Sequence, residues 1–430
     1  MWRSFGMQAI QMEGRMVKYC RVAIVCICAM AIFFMLAGPA ASQERGVPVY
    51  EKPRPDYDPL GIRAGAFTIR PDLTLGLEYN DNIYAADSGE ESDWITTVAP
   101  EVDVRTNWVR HALGLNTGLE AGFYGSESDE NYVDGHVFLD GRLDVLRGAF
   151  LNAAAGYHYL HEERGAPDAD AAWDEPANYH RWDGDLSYFH GLGRLSLTLG
   201  TDFTRMDYRR VDLVGGGSEN LDYRDRNIFD VNARVAYEMH PDVHPFIQTS
   251  YNWRRYDNRD PGLSEKRDSD GYRIGVGTGF DLGGVTSGEI FAGYMSQSYD
   301  NLRDISGMWY GMNLLWNVTQ LTSVEAGVRK SVKETTARDA SGIDAIDTNL
   351  RVDHELLRNL LVGAFFDYTY DDYQGRDISD KYYVFGPRVT YLWNRNLSAE
   401  AGYTRRIKDS NVSAREYTEN RFKVSITGSF

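Results

Sequence analysis

Phe422-Lys423-Val424-Ser425-Ile426-Thr427-Gly428-Ser429-Phe430 is the stretch on which the fold turns. Phe422, Val424, Ile426 and Phe430 alternate with Lys423, Ser425, Thr427 and Ser429, a period of two. On a strand, successive side chains point to opposite faces, so one face of this segment is apolar and the other polar. Leu195, Leu197, Leu199 and Phe203 repeat the pattern against Ser196, Thr198, Gly200, Asp202 and Thr204. Tyr272, Ile274, Val276 and Phe280 repeat it against Arg273, Gly275, Gly277, Gly279 and Asp281. Val133, Val137, Leu139, Leu143 and Val145 repeat it against Asp134, His136, Asp140, Arg142 and Asp144.

Eighteen such segments centre near residues 75, 100, 117, 139, 155, 184, 200, 231, 250, 276, 292, 312, 327, 350, 366, 387, 401 and 423. Their connections alternate in length. Short turns are expected at Thr106-Asn107, Arg147-Gly148, Gly191 to Gly193, His240-Pro241-Asp242, Gly283-Gly284, Val318-Thr319, Arg358-Asn359 and Arg395-Asn396. Long polar loops are expected at 80–93, 162–177, 209–220, 258–269 and 335–341. This layout predicts an all-β protein, a transmembrane antiparallel β-barrel of about 18 strands, with short periplasmic turns and longer extracellular loops. A propeller would show an internal repeat every ~40 to 50 residues, and none is found. Tyr79, Trp94, Trp108, Tyr157, Trp182, Trp253, Trp316, Tyr391 and Trp393 fall near segment ends, where interfacial rings belong. Hydrocarbon demands such closure, because every backbone N–H and C=O must be paired within the protein.

The N-terminus agrees with this compartment. Arg15, Lys18 and Arg21 precede an apolar run from Val22 to Leu36 and the small residues Ala37, Gly38, Ala40, Ala41 and Ser42. That order predicts a signal peptide over 1–42, cleaved after Ala40 or Ser42, with Met16 an alternative start. Residues 43–65, with Pro48, Pro53, Pro55 and Pro59, read as an extended periplasmic segment, and 66–430 as the outer-membrane barrel. Cys20, Cys26 and Cys28 all lie in the signal, so the mature chain has no disulfide or thiolate metal site. Beyond residue 42 the net charge is about −21, which disfavours nucleic acid as a partner. Expected partners are outer-membrane lipid, the barrel-assembly machinery (whose terminal signal the closing strand resembles), and polysaccharide or small hydrophilic solutes.

Pro53-Arg54-Pro55-Asp56-Tyr57-Asp58-Pro59-Leu60-Gly61-Ile62-Arg63, Gly65-Ala66-Phe67 and Glu78-Tyr79-Asn80-Asp81-Asn82-Ile83-Tyr84 resemble the putative β-barrel porin 2 family. The resemblance implies an outer-membrane barrel without catalytic residues, and some such barrels are tied to exopolysaccharide secretion.

Catalytic and metal readings are weak. His136 shares a face with Asp134 and Asp140, more simply a lumenal hydrogen-bond network than an active site. His158 and His161, beside Glu162 and Glu163, fall on opposite faces of a strand. Asp168, Asp170, Asp174 and Glu175 lack the glycine and spacing of a calcium loop and read as solvated acids. Gly215-Gly216-Gly217 opens no helix and reads as a flexible loop. No cofactor motif is present.

The faces expected inward carry charges of both signs, and Glu120, Asp140, Arg142, Arg234, Arg273, Glu325, Arg329, Arg351, Arg388 and Glu400 are the expected pore-lining residues. The expected function is a porin-like channel passing hydrophilic solutes, with exported polysaccharide as the cargo the resemblance implies. The alternatives are a general diffusion porin for small nutrients and a structural or adhesive barrel.

Overall fold

The structure is a computed structural model and describes residues 46–430; the signal-peptide reading of 1–42 lies outside the described residues. Eighteen strands follow one another, from β1 (Phe67–Asn80), β2 (Asp93–Thr106), β3 (Ala112–Tyr124), β4 (Tyr132–Leu146), β5 (Ala149–His161) and β6 (Asn178–Leu192) to β7 (Leu195–Tyr208), β8 (Arg226–Tyr237) and β9 (Val243–Tyr256). The second half comprises β10 (Ser269–Leu282), β11 (Thr286–Tyr299), β12 (Ile305–Thr319), β13 (Thr322–Lys333), β14 (Gly342–Leu357), β15 (Leu360–Gln374), β16 (Ser379–Asn394), β17 (Leu397–Ser410) and β18 (Tyr417–Ser429). Each strand pairs antiparallel with the next, and β18 returns to β1 with Asp72 opposite Ser429 and Asn80 opposite Arg421. The closing strand is the stretch quoted first. Closure leaves no free edge.

All eighteen expected segment centres fall inside these strands. Turn positions shift by a few residues. Thr106 closes β2, Gly191 and Leu192 belong to β6, and Val318-Thr319 is the end of β12, its turn being Gln320-Leu321. At the last site the pairing slips between Trp316 and Thr319. The extra residue of such a bulge breaks the alternation by which a strand end is read.

The barrel is apolar outside and polar inside. Phe422, Val424 and Ile426 remain 53 %, 56 % and 46 % exposed, and Leu73, Leu75, Leu77, Ile274 and Val276 share that outward face. An apolar surface of this extent requires lipid against it, and each covered Leu or Val contributes roughly 1.5–3 kcal/mol. Aromatic pairs mark both rims: Tyr79 with Trp94 (5.2 Å) and Tyr157 with Trp182 (5.6 Å) toward the long loops, Phe67 with Trp108 (6.3 Å) and Tyr391 with Trp393 (5.5 Å) toward the short turns.

Two clusters of buried apolar residues lie among the long loops and the adjoining strand ends. One cluster holds Trp173, Ala177, Tyr208, Val211 and Leu221, and another Ala340, Ile343, Ala345, Tyr373 and Ile378. Among the largest fully buried side chains is an arginine, Arg267, at 1 % exposure in a loop. Gly215-Gly216-Gly217 forms the tip of a small hairpin that pairs Val211-Asp212 with Ser218-Glu219. All three have positive φ (86°, 99° and 99°), which favours glycine.

Candidate functional site

The positions that alternate with the outward apolar residues face the lumen, and there the expected site residues find their partners. Glu120 accepts a hydrogen bond from the Tyr132 hydroxyl (2.7 Å), and Asp140 accepts one from Arg105 (2.6 Å). Arg142 pairs with Asp144 (2.9 Å) and lies 3.7 Å above the Phe150 ring. Arg234 pairs with Glu289 (2.5 Å), and Arg273 with Asp230 (2.7 Å) and the Ser250 hydroxyl (2.8 Å). Glu325 on β13 stands opposite Arg351 on β14, and Arg329 opposite Asp347. Arg388 pairs with Asp353 (3.1 Å), and Glu400 accepts from Thr390 (3.0 Å). The ion pairs lie within one strand or reach over one or two intervening strands, as from Arg105 on β2 to Asp140 on β4 and from Arg234 on β8 to Glu289 on β11, so they run along the wall.

The catalytic and metal candidates are dispersed among other partners. His136 bonds Asn116 (2.6 Å), His158 approaches Asp183 (3.4 Å), and His161 bonds Asp134 (2.9 Å). Among the described residues no group of three His, Cys, Asp or Glu side chains is placed to hold a metal ion.

What periodicity could not reveal is a strap at each mouth. At the long-loop end, residues 162–177 fold inward. Their base is closed by Glu162 N–H donating to the Ala177 carbonyl (2.8 Å) and by Arg224 gripping Glu162 with two bonds of 2.8 Å. From there Glu163 reaches Arg406 on β17 (2.7 Å), and Arg164 reaches Glu130 (2.9 Å). Asp168 accepts from the Thr335 hydroxyl (2.6 Å) and the Thr336 N–H (3.0 Å), so this acid is a structural anchor and not the solvated charge its loop suggested. Burial would raise the Glu163 carboxyl, but Arg406 and Arg421 outweigh it and hold it below the ordinary carboxylate range. Loops 257–268 and 334–341 lock the assembly. Arg267 donates to Asp260 (2.6 Å) and to the carbonyls of Ala340 (2.6 Å) and Ala337 (3.1 Å), while Glu334 receives the Tyr256 hydroxyl (2.5 Å) and pairs with Arg254.

At the short-turn end, residues 46–58 line the rim. The extended periplasmic lead-in expected over 43–65 is, from residue 46, packed against the barrel. A 3-10 turn at Val49–Glu51 buries Val49, and Ile62–Ala64 pairs with the start of β1. Gly46 N–H donates to the Gly284 carbonyl (3.1 Å), Val49 N–H to Ser323 (2.9 Å), and Lys52 to the Gln320 carbonyl (2.5 Å). The Tyr50 hydroxyl meets Thr390, and Arg388 lies 3.9 Å over the Tyr50 ring. Arg54 curls back on its own segment, donating to the carbonyls of Val49 (2.7 Å) and Lys52 (3.0 Å), and also pairs with Glu355 (3.2 Å). Proline explains why a sequence reading stops short: Pro48, Pro53 and Pro55 signal only an irregular, extended backbone.

The family model described as putative beta-barrel porin 2 matches residues 54–430. Among solved structures, the outer membrane protein OpdK from Pseudomonas aeruginosa is 12 % identical, with 84 % of this chain and 99 % of that chain covered and a TM-score of 0.41. OpdQ from Pseudomonas aeruginosa is 13 % identical, with 85 % and 98 % covered and a TM-score of 0.44. The copper transporter OprC is 12 % identical, with 86 % and 82 % covered and a TM-score of 0.48. No curated protein sequence matches this one.

Proposed function

We propose that this chain, which belongs to the putative beta-barrel porin 2 family, is an outer-membrane channel that lets small hydrophilic solutes pass through its lumen. One observation carries the reading: charges on the inward faces of many strands are paired along the wall, as in Arg105–Asp140, Arg234–Glu289 and Arg388–Asp353. Wall charges satisfied by partners two or three strands away on the same wall need no plug to neutralise them. A barrel of about 18 strands is wide enough for an aqueous path. Glu120, Asp140, Arg142, Arg234, Arg273, Glu325, Arg329, Arg351, Arg388 and Glu400 would then line that path. Polymer export gains no support from the family match.

Acidic loops at the long-loop mouth, including Asp87, Glu90 and Glu91, favour cations and neutral solutes over anions. Planar-bilayer recording of the purified mature protein tests both statements. The expected result is stable conductance with a reversal potential on the cation side at ~0.1 M salt, where screening lengths are about 10 Å. Absence of conductance even after removal of residues 163–176 would overturn the channel reading. Clear anion selectivity would overturn the selectivity alone.

A further inference from the structure

The wall formed by β9 to β12 differs from the rest of the lumen. On β10 the inward positions Gly275, Gly277 and Gly279 carry no side chain, and aromatic rings lie over this bare backbone. A Cβ on Gly277 would stand 2.4 Å from Phe246 Cζ, and one on Gly275 would stand 3.2 Å from the Trp309 ring. Each ring is thus seated where glycine leaves room. Phe246 is buried beneath the guanidinium of Arg234, 3.4 Å from its ring centre. Phe291 and Trp309 are covered less closely, the guanidinium over Trp309, that of Arg273, standing 5.5 Å from its ring centre. Their rings are 4.6 Å apart, inclined at 52°, and only partly buried. Two ion pairs frame them, Arg273 with Asp230 (2.7 Å) and Arg234 with Glu289 (2.5 Å).

We propose that Trp309 and Phe291, framed by the Arg273–Asp230 and Arg234–Glu289 pairs, form a lumenal subsite that binds a pyranose unit of a neutral saccharide. The reading rests on solutes passing through the lumen, and it names their class. A pyranose has an apolar C–H face and a rim of hydroxyls, each of which both donates and accepts. The part of these rings left open matches the first, because stacking removes apolar surface from water. The framing pairs match the second, since a guanidinium supplies donors and a carboxylate acceptors. Each pair is neutral as a unit, so an anion or a cation gains no net attraction here, whereas a polyol finds partners of both kinds. Rings that merely shielded backbone would be buried as Phe246 is.

Maltohexaose titrated into the detergent-solubilised protein by calorimetry gives a readout that does not need conduction, and current blockade by the same sugar gives a second. Polyethylene glycol of similar size is the control, having no hydroxyl rim and no stacking face. Maltohexaose is expected to bind and the glycol not to. W309A and F291A should each weaken binding about 3- to 10-fold, the range set by the loss of one aromatic contact. W309F should keep most of the affinity, which separates loss of the ring from loss of folding. Unchanged affinity in W309A, or no heat with the wild-type protein, overturns the subsite. Ring-dependent binding in a protein that does not conduct overturns the channel reading and leaves the subsite standing.

Discussion

The straps at 162–177 and 46–58 narrow the same barrel from opposite ends, and they are held in opposite ways. The outer strap presents carboxylates, Glu163 and Asp168, to basic and polar groups of β17, β18 and loop 334–341. The inner strap presents cations, Lys52 and Arg54, to carbonyls and to Glu355. More telling is where the bonds go. Arg164 anchors to another loop through Glu130, and Arg267 binds loop 257–268 to loop 334–341. Arg54 spends most of its donors on its own segment, so the inner strap is a pre-shaped hook with a few anchors on the wall. A segment held by many buried charges opens as a unit with its neighbours, whereas a self-folded hook can detach without disturbing the barrel. The inner strap is accordingly the easier of the two to release.

Excision of residues 163–176, joining 162 to 177 through two glycines, tests that difference most severely. The ends are already hydrogen-bonded, so the barrel should assemble. Single-channel conductance should rise roughly twofold or more as the constriction widens. An unchanged conductance would mean that the outer strap does not bound the path.

Removal of residues 46–56 should give a smaller rise, because this strap follows the rim from the β10–β11 turn toward β17 and leaves the opposite side open. Rises of equal size in bilayer recordings would erase the distinction drawn here.

A matched pair of substitutions compares the anchors directly. Arg267→Met strands the buried Asp260 and should cost about 3–5 kcal/mol of loop stability. Arg54→Met removes one ion pair and the hydrogen bonds to several neutral carbonyls and should cost about 1–3 kcal/mol. Limited proteolysis of the folded protein should therefore cut loops 257–268 and 334–341 in the first variant far faster than it cuts the N-terminal segment in the second. The reverse order would contradict the anchoring argument.

The smallest effect concerns pH. The Glu163 carboxyl titrates below its ordinary value in the folded protein, so its contribution is complete above that ordinary value, near 4.5. It is lost only as pH falls through the lower, folded value. Conductance should stay flat from neutral pH to about 4.5, then rise on further acidification, and Glu163→Gln should remove that rise. A wild-type rise already complete at pH 6 would point to another group.

Much of this architecture is local and was legible without coordinates. A period of two places Val424 and Ile426 on one face and Lys423 and Ser425 on the other whatever the strand pairs with, and turn and loop lengths read off directly. Strand ends were less legible where a bulge, as after Trp316, interrupts the period. The same alternation makes an inward direction the expectation for Arg142 or Arg388, since on an apolar-faced strand a charge has only the lumen to face. Which charge meets which was not legible. Glu163 and Arg406 are 243 residues apart, and Arg54 and Glu355 are 301 apart. No pattern within a strand links such positions, because closing the barrel sets which loops and wall residues come within reach. The sequence by itself determined a closed barrel with a polar interior, because side-chain alternation is a property of each strand alone. The straps and the bare aromatic wall at Trp309 were decided by the tertiary structure, because long-range ion pairs and ring-over-glycine packing exist only between strands and loops that folding brings together.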